Sequence, residues 1–154
     1  MATKKGVWSL QQVRDKSLQS LWSYGSTVDP GTLWTMGSDA WGLLGQNTSN
    51  AHRSSPVQIP GTTWSIINNT YQSQAAIKSD GTLWTWGKNY GGILGLNESG
   101  PWPSNTGSRS SPTQVPGTTW ANVAVAEQST YAIKTDGTLW SCGYNNRGAL
   151  GQNN

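Results

Sequence analysis

The sequence predicts an all-β fold: a partial β-propeller of four-stranded blades behind a short helical or extended N-terminal segment. Three observations carry this. The string GTLWTMG at residues 31–37 returns as GTLWTWG at 81–87 and as GTLWSCG at 137–143, with starts 50 and then 56 residues apart. Self-similarity at such a period marks stacked supersecondary units. The chain also holds ten Trp and nineteen Gly but no Phe, a mixture that suits short strands and tight turns better than helices. Finally, each full unit contains four strand-like runs bounded by turn signals, and four strands per period make one propeller blade.

In the complete unit the strands are expected at 64–68, 75–78, 82–86 and 112–115. The second runs into Asp80-Gly81, and its copy into Asp136-Gly137, a dipeptide that favours a two-residue type I′ hairpin. The first copy reads Asp29-Pro30-Gly31. Proline's fixed negative φ excludes type I′, so a type II turn with Gly31 third is expected there. After the third strand the closing Gly is followed eight residues later by another, in GSDAWGLLG, GKNYGGILG and GYNNRGALG. The fourth strand lies in SSPVQIPGTTW from Ser54 and again in SSPTQVPGTTW from Ser110.

These residues resemble RCC1-like (regulator of chromosome condensation) repeats: a strand ending in DG, a W-x-W-G-type strand, G-x-LG-x-N, then SP-x-Q-V-P. The resemblance covers residues 29–154 in three co-linear blocks, which sets a repeat domain at 29–154 behind a segment at 1–28. It implies propeller blades serving as a binding or structural module. Members of the family act as nucleotide-exchange factors for small GTPases or as chromatin binders. About two and a half units are present, whereas propellers close with about four to eight blades. The last copy stops at Gly151-Gln152-Asn153-Asn154, and incomplete blades expose strand edges that invite pairing. A homo-oligomer or a composite propeller with another chain is therefore expected.

Residues 1–24 do not match the repeat. Ser9 and Gln12 have capping-box spacing, and Leu10, Val13, Leu18, Leu21 and Trp22 fall partly on one helical face, which suggests a short amphipathic helix from about Leu10. The string GVWSLQQVRDKSLQSLW resembles the N-terminal segment of virion structural proteins from tailed phages of marine bacteria, cyanophages in particular. That resemblance implies a virion location and an anchor to other virion proteins through Val7, Trp8, Leu10, Val13, Leu21 and Trp22. A cap packed on the first blade is the other reading, and the two are compatible.

Charge and composition narrow the partners. The net +3 is carried by residues 1–24, where Lys4, Lys5, Arg14 and Lys16 outnumber Asp15, and the remainder is neutral by count. A basic face for nucleic acid is thus not expected. Lys4 and Lys5 have no apolar run behind them, so a secretory signal is not expected and synthesis in the host cytoplasm is. No stretch approaches the roughly 18 apolar residues of a membrane helix, so membrane insertion is not expected. With Cys142 the only cysteine, no intramolecular disulfide can form.

Catalytic constellations find little material. His52 is the only histidine and lies in a polar loop, where a solvated role outweighs a general base. Cys142 takes the place of Trp86 and Met36, an apolar slot. Asp80 and Asp136 belong to turns, and Asp29, Asp39, Glu98 and Glu127 suggest no convergent acid pair of the kind glycoside hydrolysis needs. No G-x-G-x-x-G or phosphate loop occurs, and neither catalytic residues, metal nor cofactor is expected.

The tryptophans sort by alignment. Trp34, Trp84 and Trp140 share one repeated position, Trp64 and Trp120 another, and Trp86 sits opposite Met36 and Cys142; these six are expected to pack between blades. Trp41 aligns instead with Gly91 and Arg147, a variable loop tip of the kind that gathers binding residues. Trp102 lies in the loop whose extra six residues lengthen the second copy. The ligand-contact candidates are Trp41, Tyr90, Trp102, Tyr144 and Arg147, suited to carbohydrate stacking or a protein hot spot. Two functions follow: a non-enzymatic virion display module, in tail or head decoration, meeting host glycan or a virion protein, or a generic RCC1-like interaction module. A glycan-active enzyme stands last.

Overall fold

The structure, a computed structural model, describes residues 31–98 and 106–152. The expected N-terminal helix, the boundary at 28 and the anchoring candidates Val7, Trp8, Leu10, Val13, Leu21 and Trp22 lie outside the described residues, as does Trp102.

Among the described residues nine strands form three antiparallel sheets. The first pairs β1 (Trp34–Gly37) with β2 (Arg53–Gln58). The second, in the order β3-β4-β5-β6, is a complete four-stranded meander of Trp64–Asn69, Ser73–Lys78, Leu83–Gly87 and Arg109–Gln114. The third holds β7 (Trp120–Val125), β8 (Ser129–Lys134) and β9 (Leu139–Gly143). All four strands expected of the complete unit are present, the last starting three residues earlier than expected.

The repeated GTLW string forms because each residue has a local partner. Thr82 Oγ1 donates to Asp80 Oδ1 at 2.6 Å, and Trp84 Nε1 donates to Thr82 Oγ1 at 2.9 Å. Asp136, Thr138 and Trp140 repeat the relay at 2.7 and 3.0 Å. The third copy of the Trp–Thr bond joins Trp34 to Thr32 at 3.0 Å. These bonds tie the hairpin to the start of the next strand, so the third strand of each blade enters in a fixed register. Lys78 Nζ then lies 4.7 and 4.4 Å from the ring centres of Trp64 and Trp84, and Lys134 stands over Trp120 and Trp140 in the same way, an arrangement stabilised by the ring quadrupole.

Neighbouring blades meet face to face. At the first seam Ile59 of the first sheet packs on Trp64, Ala76 and Trp86 of the second. At the second seam Ala75, Ile77, Leu83 and Val115 pack on Trp120, Val123 and Ala132. Backbone bonds stitch both: the amide of Trp64 donates to the Gly31 carbonyl at 3.1 Å, and that of Trp120 to the Gly81 carbonyl at 2.9 Å. The period-2 alternation of strand side chains puts Ala76 and Trp86 on one face of the middle sheet and Ala75 and Ile77 on the other.

Two expectations are corrected. The Asp80-Gly81 turn is not type I′. Only Gly81 has positive φ, +78°, while its amide bonds the Lys78 carbonyl and Asp80 Oδ1 accepts the Thr82 amide. This is a three-residue loop through Ser79, Asp80 and Gly81, chosen because the Asp80 carboxylate bonds ahead of itself and holds Asp80 at negative φ. The type II turn expected at Asp29-Pro30-Gly31 lies outside the described residues except for Gly31, which bridges to Trp64. Finally, Trp34 and Trp140 are 55% and 54% exposed rather than packed between blades. Trp34 faces away from the second blade, and Trp140 lies on a strand that has no fourth-strand neighbour among the described residues.

A candidate binding face at the loop tips

At one end of the blades, opposite the Asp80 and Asp136 hairpins, three equivalent loops leave the third strands at Gly37, Gly87 and Gly143. Each is held by one side chain that caps the loop from inside. Asp39 Oδ1 accepts the Leu44 amide at 3.0 Å, Asn89 Oδ1 the Leu94 amide at 3.1 Å, and Asn145 Oδ1 the Leu150 amide at 3.0 Å. A second repeated bond runs from Thr35, Thr85 and Ser141 to the carbonyls of Leu44, Leu94 and Leu150. Buried backbone groups need such partners, so the loops are rigid platforms whose tips are free to vary.

Asp39 is more heavily engaged than its counterparts. Its Oδ2 accepts Thr48 Oγ1 and the Ala51 amide, and its own amide donates to His52 Nδ1 at 2.9 Å. The sole histidine is therefore exposed at its ring edge but occupied structurally at Nδ1. Cys142 is partly buried and neutral, burial pushing its thiol above the ordinary value. Among the described residues no three of His, Cys, Asp and Glu gather as a metal site would require.

Across the platform runs one row of side chains drawn from all three blades. Lys88 is 4% exposed and its Nζ lies 4.7 Å from the Trp41 ring centre and 5.9 Å from that of Tyr90. Tyr90 in turn faces Tyr144, with ring centres 5.3 Å apart and planes tilted 40°. Desolvation first, and then the neighbouring Tyr144, holds the Tyr90 hydroxyl above its ordinary value. The row depends on close approach between blades. A Cβ at Gly91 would stand 3.0 Å from Tyr144 Cβ, so only glycine lets the second loop lie against the third.

Trp41 reaches the row at a conformational cost. Its φ of +57° is the left-handed region that bulky residues avoid, and the second copy has Gly91 there, at +62°. Strain of this kind costs about 1–2 kcal/mol and persists where the surrounding structure imposes it.

Of the expected contact residues the structure brings Trp41, Tyr90 and Tyr144 together and leaves Arg147 apart, exposed on the Tyr144 loop with no ion pair or ring contact among the described residues. Lys88, the cation that joins the row, was visible in the alignment only as the counterpart of Ser38 and Tyr144. Beside the row, Tyr71 donates to Glu127 Oε1 at 3.1 Å, linking the β3–β4 and β7–β8 tips. Tyr71 and Glu127 are repeat equivalents, so alignment could have paired them.

A complete four-stranded meander stacked between two partial ones through repeated tryptophans, with sequence variation at the tips of one set of loops, defines a β-propeller segment. The blades are of a known type. Residues 80–133 match the regulator of chromosome condensation (RCC1) repeat, about a third of the chain. No curated protein sequence matches. Among solved structures the chain is similar to Prp20p from Saccharomyces cerevisiae, described with its binding properties to Gsp1p and histones, with a TM-score of 0.67 and 16% identity over 80% of this chain and 32% of that one. It is also similar to human WBSCR16, with a TM-score of 0.62 and 20% identity over 75% and 29% of the two chains. Yeast RCC1 (Prp20) bound to Kap60 gives a TM-score of 0.58 and 21% identity over 73% and 26%. The chain therefore spans about a third or less of each of these structures. At such identities the likeness concerns the fold: a partial β-propeller of RCC1-like blades.

Proposed function

We propose that this chain is a non-enzymatic protein-interaction module of RCC1 type that meets its partner through the row Trp41, Lys88, Tyr90 and Tyr144. The observation carrying this reading is that Trp41 accepts a left-handed backbone to place a large ring on the tip of a rigid loop, at a position where the next blade uses glycine. Rigid aromatics beside a buried cation are the side chains from which interface hot spots are built. The acidic groups and the histidine of the loops and hairpins, by contrast, are engaged in holding turns.

The experiment is site-specific photo-cross-linking of the full chain in extracts of its native host, with a benzophenone amino acid at position 144, on the row, or at 136, at the opposite end of the same blade. Adducts to another protein are expected from 144 and not from 136. Equal adducts from both, or none from 144, would overturn the assignment of this face.

Self-association belongs to the same reading. Met36 is 64% exposed on one end face of the stack and Leu139 66% exposed on the other, whereas their equivalents Trp86 and Leu83 are buried at the seams. End faces that repeat the two halves of an interior seam suit head-to-tail pairing with a second copy. Mass photometry is expected to give an oligomer, and a stable monomer would contradict it. The narrower form of the proposal is virion display, with residues 1–24 as anchor and the loop row turned towards host glycan or a neighbouring virion protein. It rests on the sequence likeness of residues 6–22. Deleting residues 1–24 should abolish incorporation into particles, and particles that still incorporate the truncated chain would remove it.

A further inference from the structure

The two seams are built from equivalent positions, and one exchange between them changes the side-chain volume most. Where the first holds Trp86, the second holds Cys142. Trp86 is fully buried; its Nε1 donates to the Leu43 carbonyl at 2.9 Å, and a Cβ on Gly45 would come within 3.3 Å of that nitrogen. The surroundings are kept at the second seam: Ile93 stands for Leu43, Gly95 for Gly45, Trp120 for Trp64 and Trp140 for Trp84. The thiol points the same way, with Sγ 3.6 Å from the Ile93 carbonyl and 3.2 Å from where a Gly95 Cβ would be. One sulfur replaces a bicyclic ring, and the neighbours do not close the gap. A cleft of about 410 Å³ lies there, lined by Leu83, Val115, Trp120, Thr130, Trp140 and Cys142.

We propose that this cleft binds a free, neutral indole, seated where the first seam seats the Trp86 ring, with its N–H donated to the Ile93 carbonyl. The volume is that of a small-ligand site, about 300–1,000 Å³, and apolar cavities of even about 150 Å³ take up benzene. The carbonyl has room for the donor. At the first seam the Leu43 oxygen accepts two bonds, from Trp86 Nε1 and from Gln74 Nε2 at 2.7 Å. Among the described residues the Ile93 oxygen accepts Thr130 Oγ1 at 2.8 Å and otherwise the weak thiol donor, so an indole N–H replaces the poorer of two bonds. Lys134 also borders the cleft, which disfavours cationic ligands such as an indolyl amine. Trp120 Nε1 is buried without an acceptor, but so is Trp64 Nε1 beside the filled slot; that is a property of the repeat and asks nothing of the ligand. The proposal is independent of the loop row.

Cys142 is the only cysteine, so its alkylation by N-ethylmaleimide reports on this cleft alone. Indole added to the full chain at ten times its dissociation constant should slow alkylation about ten-fold and raise Tm. Cys142→Trp should fill the cleft and abolish the Tm response. Should that variant not fold, Cys142→Met, which carries the side chain of the first copy, should respond more weakly than the parent. 1-Methylindole keeps the rings and lacks the donor, and should bind about two- to ten-fold more weakly. Alkylation and Tm both unmoved by indole up to its solubility, an undiminished response in either variant, or equal affinity for 1-methylindole would overturn the proposal.

Discussion

The seam chemistry makes one quantitative prediction about what burial of a tryptophan contributes. Trp86→Ala removes a fully buried ring together with its bond to the Leu43 carbonyl. The carbonyl keeps its Gln74 partner, so the loss is mainly of packing. Transfer of the ring and the cavity left behind cost about 3–5 kcal/mol for such a truncation. Taking about 4 kcal/mol, Tm should fall by about 10–15 °C for a chain of this size. Trp34→Ala removes the same side chain from the first blade, but at 55% exposure it should cost less than about 1 kcal/mol. Urea denaturation followed by far-ultraviolet circular dichroism compares the two without relying on the fluorescence both substitutions alter. Equal losses, or less than about 1 kcal/mol for Trp86→Ala, would refute the view that the blades are held through this slot.

Further expectations test the hairpins and the blade edges. The Asp80 and Asp136 carboxyls lie below the ordinary carboxylate value, chiefly through the hydroxyl bonds from Thr82 and Thr138 and then through their backbone amides. A depressed folded-state value means that this stabilisation is complete above about pH 4 and lost as pH falls through the folded value. The double variant Asp80→Asn and Asp136→Asn should therefore lose less stability than the parent below about pH 4, and an unchanged acid limb in chemical denaturation would count against the relay. Gly87→Ala puts a Cβ 2.6 Å from the Gln72 carbonyl and 2.9 Å from Ser73 Cα, whereas Gly137→Ala, also at positive φ, meets nothing within 4 Å. The second should cost about 1–2 kcal/mol from backbone strain alone, and the first about 2 kcal/mol more from the clash; similar thermal shifts would contradict the contact.

Much of the fold was legible because the chain states it repeatedly. Each strand of the middle sheet could be placed from two or three copies, and Trp64, Trp86 and Trp120 are buried as their positions implied. What alignment could not convey was neighbourhood. Trp34, Trp84 and Trp140 are one position in sequence, yet Trp34 faces away from the second blade and Trp140 has no fourth-strand neighbour among the described residues, whereas Trp84 pairs with Gln114 of β6. An Asp-Gly dipeptide alone favours type I′, but the Asp80 carboxylate bonding Thr82 decides the loop. In the candidate site Trp41 was found by its failure to repeat, and Tyr90 and Tyr144 by lying in the same loops. A lysine aligned with serine and tyrosine suggests solvent, and only the fold places Lys88 buried with Trp41 and Tyr90 beside it.

The central functional claim is that Trp41 is held in a left-handed backbone for the sake of a partner. Trp41→Gly tests it most directly, since glycine is the residue of the second blade and relieves the strain. The measurement is the affinity of this variant for the protein captured from position 144, made beside its Tm. Stability within about 1 kcal/mol of the parent is expected, because relief of about 1–2 kcal/mol of strain offsets loss of the contact with Lys88. Affinity should fall by about thirty-fold, as for loss of a hot spot of about 2 kcal/mol. A stable variant that binds as tightly as the parent would contradict the account.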